Sequence, residues 1–171
     1  MIQRPDNRFF MAMLVLFMSL LFAIYFCSIS SRAEVKQVNE YTSVVDTMTD
    51  KEYSELIRVM FLECRSEPFQ GKVAVAEIVF NRVLSEYFPD TVHDVLSQRG
   101  QFATWHYIDK VDSIDEYNKE ESLQEIRDAI NYAYYNGRSV LPSEKYVYFD
   151  TSGKNGTNHF HIANHYFGKM K

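Results

Sequence analysis

Apolar residues fall at helical spacing along two stretches, cover a third almost all round, recur in two extended stretches near the C-terminus, and form one nearly unbroken run. Tyr53, Leu56, Ile57, Met60 and Cys64 mark one face of a helix. Thr49-Asp50-Lys51-Glu52 precedes them as a capping box, so a helix is predicted from there to about Arg65. Pro68 suits the first turn of a second helix. Val73 to Ala76 and Ile78 to Phe80 make that helix apolar almost all round, which predicts a buried central element ending near Ser85. Asp90 or Thr91 caps a short helix through Leu96, closed near Gly100, and Gln101 to Trp105 reads as loop. Ser122-Leu123-Gln124-Glu125 is a second capping box. The helix behind it carries Leu123, Ile126, Ile130, Ala133 and Tyr134 on one stripe and Gly137 as its C-cap. Beyond Pro142, Tyr146 to Phe149 has strand propensity, residues 152–156 are turn chemistry, and Phe160 to Phe167 is again extended. The expected architecture is α+β and mainly α, a single domain with a small C-terminal β-hairpin.

The nearly unbroken run lies at the N-terminus. Phe9 to Cys27 is interrupted only by Ser19, no charge falls between Phe9 and Ser31, and Arg4 and Arg8 precede the run. Such a segment is a signal anchor or a signal peptide with its short N-terminus in the cytoplasm. A length near 20 residues favours an anchor that spans the bilayer. Ser31-Arg32-Ala33 is a small-x-small cleavage signal that favours a removable leader. In both cases the division is 1–33 anchor or leader, 34–48 a polar linker, and 49–171 a domain outside the cytoplasm. The protein is then held to the membrane by one span, or secreted if cut after Ala33.

Composition narrows the function classes. The 171 residues carry a net charge of −5, which argues against a generally basic nucleic-acid binder. Without Arg4, Arg8, Arg32 and Asp6 the outer part stands at −7. Of the two cysteines only Cys64 lies beyond the leader, so that part has no internal disulfide and depends on its core. Aromatic residues reach 15 %, from 13 Phe, 12 Tyr and one Trp. Trp105, Tyr107, Tyr146 and Tyr148 are candidates for stacking on sugar rings, a role that competes with core packing.

Glu63 is the sharpest chemical candidate. It follows Leu56 by seven residues and Met60 by three, so it projects beside the apolar stripe at the end of its helix. A carboxyl that loses hydration there favours its protonated form and can donate to a glycosidic oxygen. The competing reading is a glutamate that reaches solvent or pairs with Arg65 or Arg82. Glu67, one turn on, either shares acid–base work or ends the helix before Pro68. His159, His161 and His165 form H-x-H-x3-H, whose alternatives are a three-nitrogen zinc site and ordinary surface histidines.

Leu62 to Ala76, LECRSEPFQGKVAVA, resembles the opening G-E-A-R-G-E-P-x-x-G-x-x-A-V-A of the SleB-like cell-wall hydrolases, the spore cortex-lytic group. Asn81-Arg82-Val83, Phe88 to Val92, Gln101-Phe102 and Ile162 to Phe167 match later family elements in order, over about residues 53–167. The resemblance implies a lysozyme-like fold related to lytic transglycosylases. It implies cleavage of peptidoglycan glycan strands between N-acetylmuramic acid and N-acetylglucosamine. It puts the catalytic Glu on Glu63, needs no cofactor or metal, and makes His165 structural. Glu67, Asn81, Gln101, Phe102, Trp105 and Tyr148 are then expected along the substrate groove. Cys64, Ser66 and Ala163 depart from the family's small residues, and an anchor-like segment stands where the spore enzyme carries a wall-binding repeat domain. The alternatives in other classes are a non-catalytic wall-binding or assembly module of the same fold and a metal-dependent amidase.

Overall fold

A computed structural model describes residue 18 and residues 39–170. The rest of the expected anchor or leader, and residues 34–38 of the expected linker, lie outside these. No helix among the described residues is long and apolar enough to cross a membrane.

The rest of the expected linker belongs to the domain. Helix α1 (Thr42–Thr47) is fastened in front by Asn39, whose Nδ2 donates to the Tyr134 carbonyl at 2.7 Å. Tyr41 is fully buried, its ring 5.2 Å from that of Phe80, and its hydroxyl donates to Asn81 Oδ1 at 2.8 Å. The polarity of 34–48 hid this, because one aromatic anchor makes no period.

Helix α2 (Asp50–Cys64) starts where expected, with both limbs of the Thr49–Glu52 capping box formed. Helix α3 (Phe69–Val83) follows Pro68, which is its N-cap. Its residues from Gly71 to Arg82 are all buried, as an apolar-all-round helix requires. The short α4 (Val92–Ser97) is capped by Thr91, whose hydroxyl accepts the Asp94 N–H at 3.1 Å.

Two predicted boundaries change. Within the expected loop Gln101 to Trp105, a 3-10 helix begins at Ala103 and runs to Ser113. Trp105, Ile108 and Val111 recur every third residue and so eclipse one another on one face, all packed on the core. Helix α5 (Lys119–Asn136) begins a turn before the Ser122 box. Ser122 is buried inside it, and Glu125 reaches Lys72 Nζ at 2.7 Å instead of closing a cap. Gly137 ends α5 at φ +66°, where an added Cβ would stand 3.0 Å from Glu40 Oε2.

The expected hairpin is a three-stranded antiparallel sheet: β1 (Tyr146–Asp150), β2 (Thr157–Ile162) and β3 (His165–Lys169) in the order β1-β3-β2. The extended segment 160–167 breaks because Ala163, at φ +46°, reverses the chain. Phe149, Phe167 and Phe160 then stand opposite one another across the three strands. Asn81 and Arg82 of α3 donate to the carbonyls of Tyr146 and Val147 at 2.9 and 2.7 Å, which ties β1 to the central helix at its bulge.

Candidate active site

Glu63 sits in the last turn of α2, half-buried, and its Oε1 accepts a 2.6 Å hydrogen bond from the Thr104 hydroxyl. Thr104 belongs to the first turn of the 3-10 helix. Arg58 of α2 and Arg65 just beyond it tie this end of the helix to the 3-10 helix and to the segment that follows it. Arg58 donates to the Ile108 carbonyl at 3.2 Å and pairs with Asp112 at 2.8 Å. Arg65 pairs with Glu116 at 3.0 Å. Arg65 and Arg82, the two expected partners of Glu63, are thus engaged elsewhere, the first with Glu116 and the second with the Val147 carbonyl. Among the described residues Glu63 has no ion pair.

Glu67 is 4 % exposed, so it does not stand open along a groove. Its Oε1 accepts from Asn164 Nδ2 at 2.9 Å and its Oε2 from the Asn164 backbone at 3.3 Å. It clamps the β2–β3 turn onto the corner between α2 and α3. Lys72, itself buried, braces the corner by donating to the Glu67 carbonyl at 2.7 Å. Gly71 packs beneath, where a Cβ would meet Glu67 Cβ at 3.1 Å. Between the two glutamates Cys64 is fully buried. Burial pushes its thiol well up, Lys72 opposes this, and the charges of Glu63 and Glu67 add to it. It is an inert packing residue.

Two more expected groove residues are interior. Asn81 is 1 % exposed with its amide committed to Tyr41 and Tyr146. Phe102 is 3 % exposed, its ring against Arg82 and Phe149. Both sit where α3 meets the sheet, so their order in the chain placed them near the site but not on its surface. Gln101, Trp105 and Tyr148 are half-exposed and remain available to a ligand. Tyr148 borders a cleft of about 390 Å³ with Lys154, Asn155 and Gly156. Trp105 is met edge-on by His93 at 5.4 Å, and His93 Nδ1 lies 2.8 Å from Glu55 Oε2. Thr104, His93 and Glu55 were missed from sequence. Each meets its partner 38 to 41 residues away, and no local pattern marks such a pair.

The three histidines do not converge. His159 and His161 are exposed on β2 beside Tyr166, whereas His165 on β3 is buried against Phe149 with Nδ1 3.8 Å from Glu67 Oε1. No group of three potential metal-binding side chains occurs among the described residues.

A mainly helical domain that ends in a small three-stranded antiparallel sheet is a lysozyme-like fold. The chain is a member of the cell wall hydrolase family, whose model matches residues 66–168. Glu63 lies three residues before that range. Over 64 residues the chain is 34 % identical to a spore cortex-lytic enzyme of Bacillus cereus, a match covering 37 % of this chain and 25 % of that protein. A spore cortex-lytic enzyme of Oceanobacillus iheyensis is 40 % identical over 47 residues, covering 28 % and 17 %. The chain thus spans a quarter or less of these relatives' length. The crystal structure of the catalytic domain of the Bacillus cereus SleB protein has the same fold. Its TM-score is 0.52 at 24 % identity, over 75 % of this chain and 97 % of that one.

Proposed function

We propose that this domain cleaves peptidoglycan glycan strands between N-acetylmuramic acid and N-acetylglucosamine as a lytic transglycosylase, outside the cytoplasm, with Glu63 as the acid and then the base. The observation that carries the reading is the pairing of Glu63 with Thr104 and, among the described residues, with no cation. A carboxyl left without a counter-ion is free to exchange a proton with substrate. The spore cortex-lytic relatives and the family support the wall as substrate.

In this mechanism the Glu63 carboxyl protonates the glycosidic oxygen as the C1–O bond breaks, and positive charge develops at C1 of the muramic residue. The resulting carboxylate, steadied by the Thr104 hydroxyl, removes the proton of the muramic C6 hydroxyl. That oxygen closes on C1 to a 1,6-anhydro ring, and Glu63 is protonated again. No water is consumed. The second carboxylate that ordinary glycosidases use is not needed. Glu67 is unsuited to that part, because both its oxygens hold the Asn164 turn. Gln101, Trp105 and Tyr148 are the side chains proposed to line the strand, and the N-terminal segment is proposed to hold the domain at the membrane.

The test is to incubate the chain and its Glu63→Gln variant with purified peptidoglycan and analyse the released muropeptides by mass spectrometry. Anhydro-muramic ends from the wild type alone are expected. Reducing muramic ends would make water the acceptor. No release from a folded wild type would remove the enzymatic reading and leave a wall-binding module.

A further inference from the structure

Arg82, in the last turn of α3, is one of the largest fully buried side chains of the domain, at 2 % exposure. A buried guanidinium ordinarily meets a carboxylate. Here Nε donates to the Val147 carbonyl at 2.7 Å, and Nη1 is buried without an acceptor among the described residues. Aromatic rings stand in for the anion: the guanidinium carbon lies 5.4 Å from the centre of Phe88 and 5.0 Å from that of Phe102. Phe102 is the residue from which the 3-10 helix starts. Its ring is also held by Phe149 at 5.9 Å, and its carbonyl accepts the Trp105 N–H at 3.2 Å. Two residues on, the Thr104 hydroxyl reaches Glu63.

From these contacts we infer that Arg82 is a positioning residue: through the ring of Phe102 it sets where the 3-10 helix begins, and so holds Thr104 against Glu63. The inference rests on the proposed role of Glu63 for its catalytic meaning, but the mechanical link stands on geometry alone. The guanidinium suits the task because its plane offers faces to aromatic rings while Nε donates within the plane. A lysine retains the charge and can donate to the Val147 carbonyl but has no plane to stack. Phe102 precedes the first turn, and its carbonyl holds the Trp105 N–H at 3.2 Å, so a shift of Phe102 bears on the turn that carries Thr104.

The test uses the full chain in a mild detergent, with Arg82→Lys, Thr104→Val and the double variant. Phe102→Leu serves as a second route should Arg82→Lys fail to fold. The first readout is NMR of the Thr104 methyl and the Glu63 carboxyl carbon, which needs no activity. The second is kcat and KM for muropeptide release. Arg82→Lys and Phe102→Leu are expected to move both resonances. They are expected to lower kcat about 10-fold with KM within about twofold, since small misplacement of a reacting group costs that much or more. In the Thr104→Val background Arg82→Lys is expected to add nothing, because both changes break the same contact. Unmoved resonances, or a full and independent loss of kcat in the double variant, would overturn the inference. Resonances that move in the variants, together with a wild type that releases nothing, would uphold the link and remove the enzymatic reading instead.

Discussion

Glu77 offers the sharpest test of how the domain holds its sheet to its central helix. It lies in the middle of α3, fully buried, and no cation is paired with it among the described residues. Its carboxylate instead gathers one loop: Oε1 accepts from Ser139 N at 2.7 Å, Ser139 Oγ at 3.1 Å and Val140 N at 3.0 Å, and Oε2 accepts from Leu141 N at 2.7 Å. That loop leads from α5 to β1. In Glu77→Ala three backbone donors lose their acceptor. The Leu141 N–H is deeply buried, and such an orphan costs about 2 kcal/mol. The other two are partly buried and cost about 1 kcal/mol each, of which water reaching Ser139 returns about 1 kcal/mol. A net loss of about 3 kcal/mol is a large part of the stability of an ordinary domain. With a urea dependence of about 1.5 kcal/mol per M, the unfolding midpoint falls by about 2 M. Glu77→Gln keeps the volume but turns one oxygen into an NH2 group, which faces donors in either orientation, so about 2 kcal/mol is expected to go. Urea melts followed by circular dichroism measure both. A Glu77→Gln midpoint within about 0.3 M of wild type would refute the reasoning, since the loop would then not depend on the charge.

Two further expectations concern the sheet. Burial works against the charge of Asp150, but hydrogen bonds from Asn155, the Ser152 hydroxyl and backbone, and Gly153 hold its carboxyl at about 2, against an ordinary 3.8. Its folded value is depressed, so its contribution is complete above about pH 4 and fades as pH falls towards 2. The stability gap between wild type and Asp150→Asn is expected to close over that window in urea melts, and a gap unchanged down to pH 2 would contradict it. Gly168→Ala places a Cβ into the carbonyl oxygen of Asn155, backbone against backbone, with Gly156 Cα 3.2 Å away. A loss of about 2–3 kcal/mol is expected from such overpacking, and a thermal melt with unchanged midpoint would show that the β1–β2 loop yields freely.

Sequence alone carried what depends on neighbours three or four residues apart. The Thr49–Glu52 box began α2 as expected, because both partners lie within one turn. The apolar surface of residues 73–80, broken only by Glu77, meant a central helix, since a helix apolar nearly all round must be buried. The same periodicity placed Glu63 at the edge of the apolar stripe. The Ser122 box had equal local merit and failed, because Glu125 gains more from the buried Lys72 than from a cap at the surface. The spacing of Trp105, Ile108 and Val111 was present in the chain, but three positions in a short stretch do not separate a 3-10 helix from a loop until a core lies beneath them. What only the tertiary structure decided is each contact across long separations: Tyr41 with Asn81, Thr104 with Glu63, Asn164 with Glu67, and β3 between β1 and β2. Such pairs are chosen by how helices and strands pack, and packing is a property of the whole domain. A single polar residue carries no mark of the partner that folding brings to it.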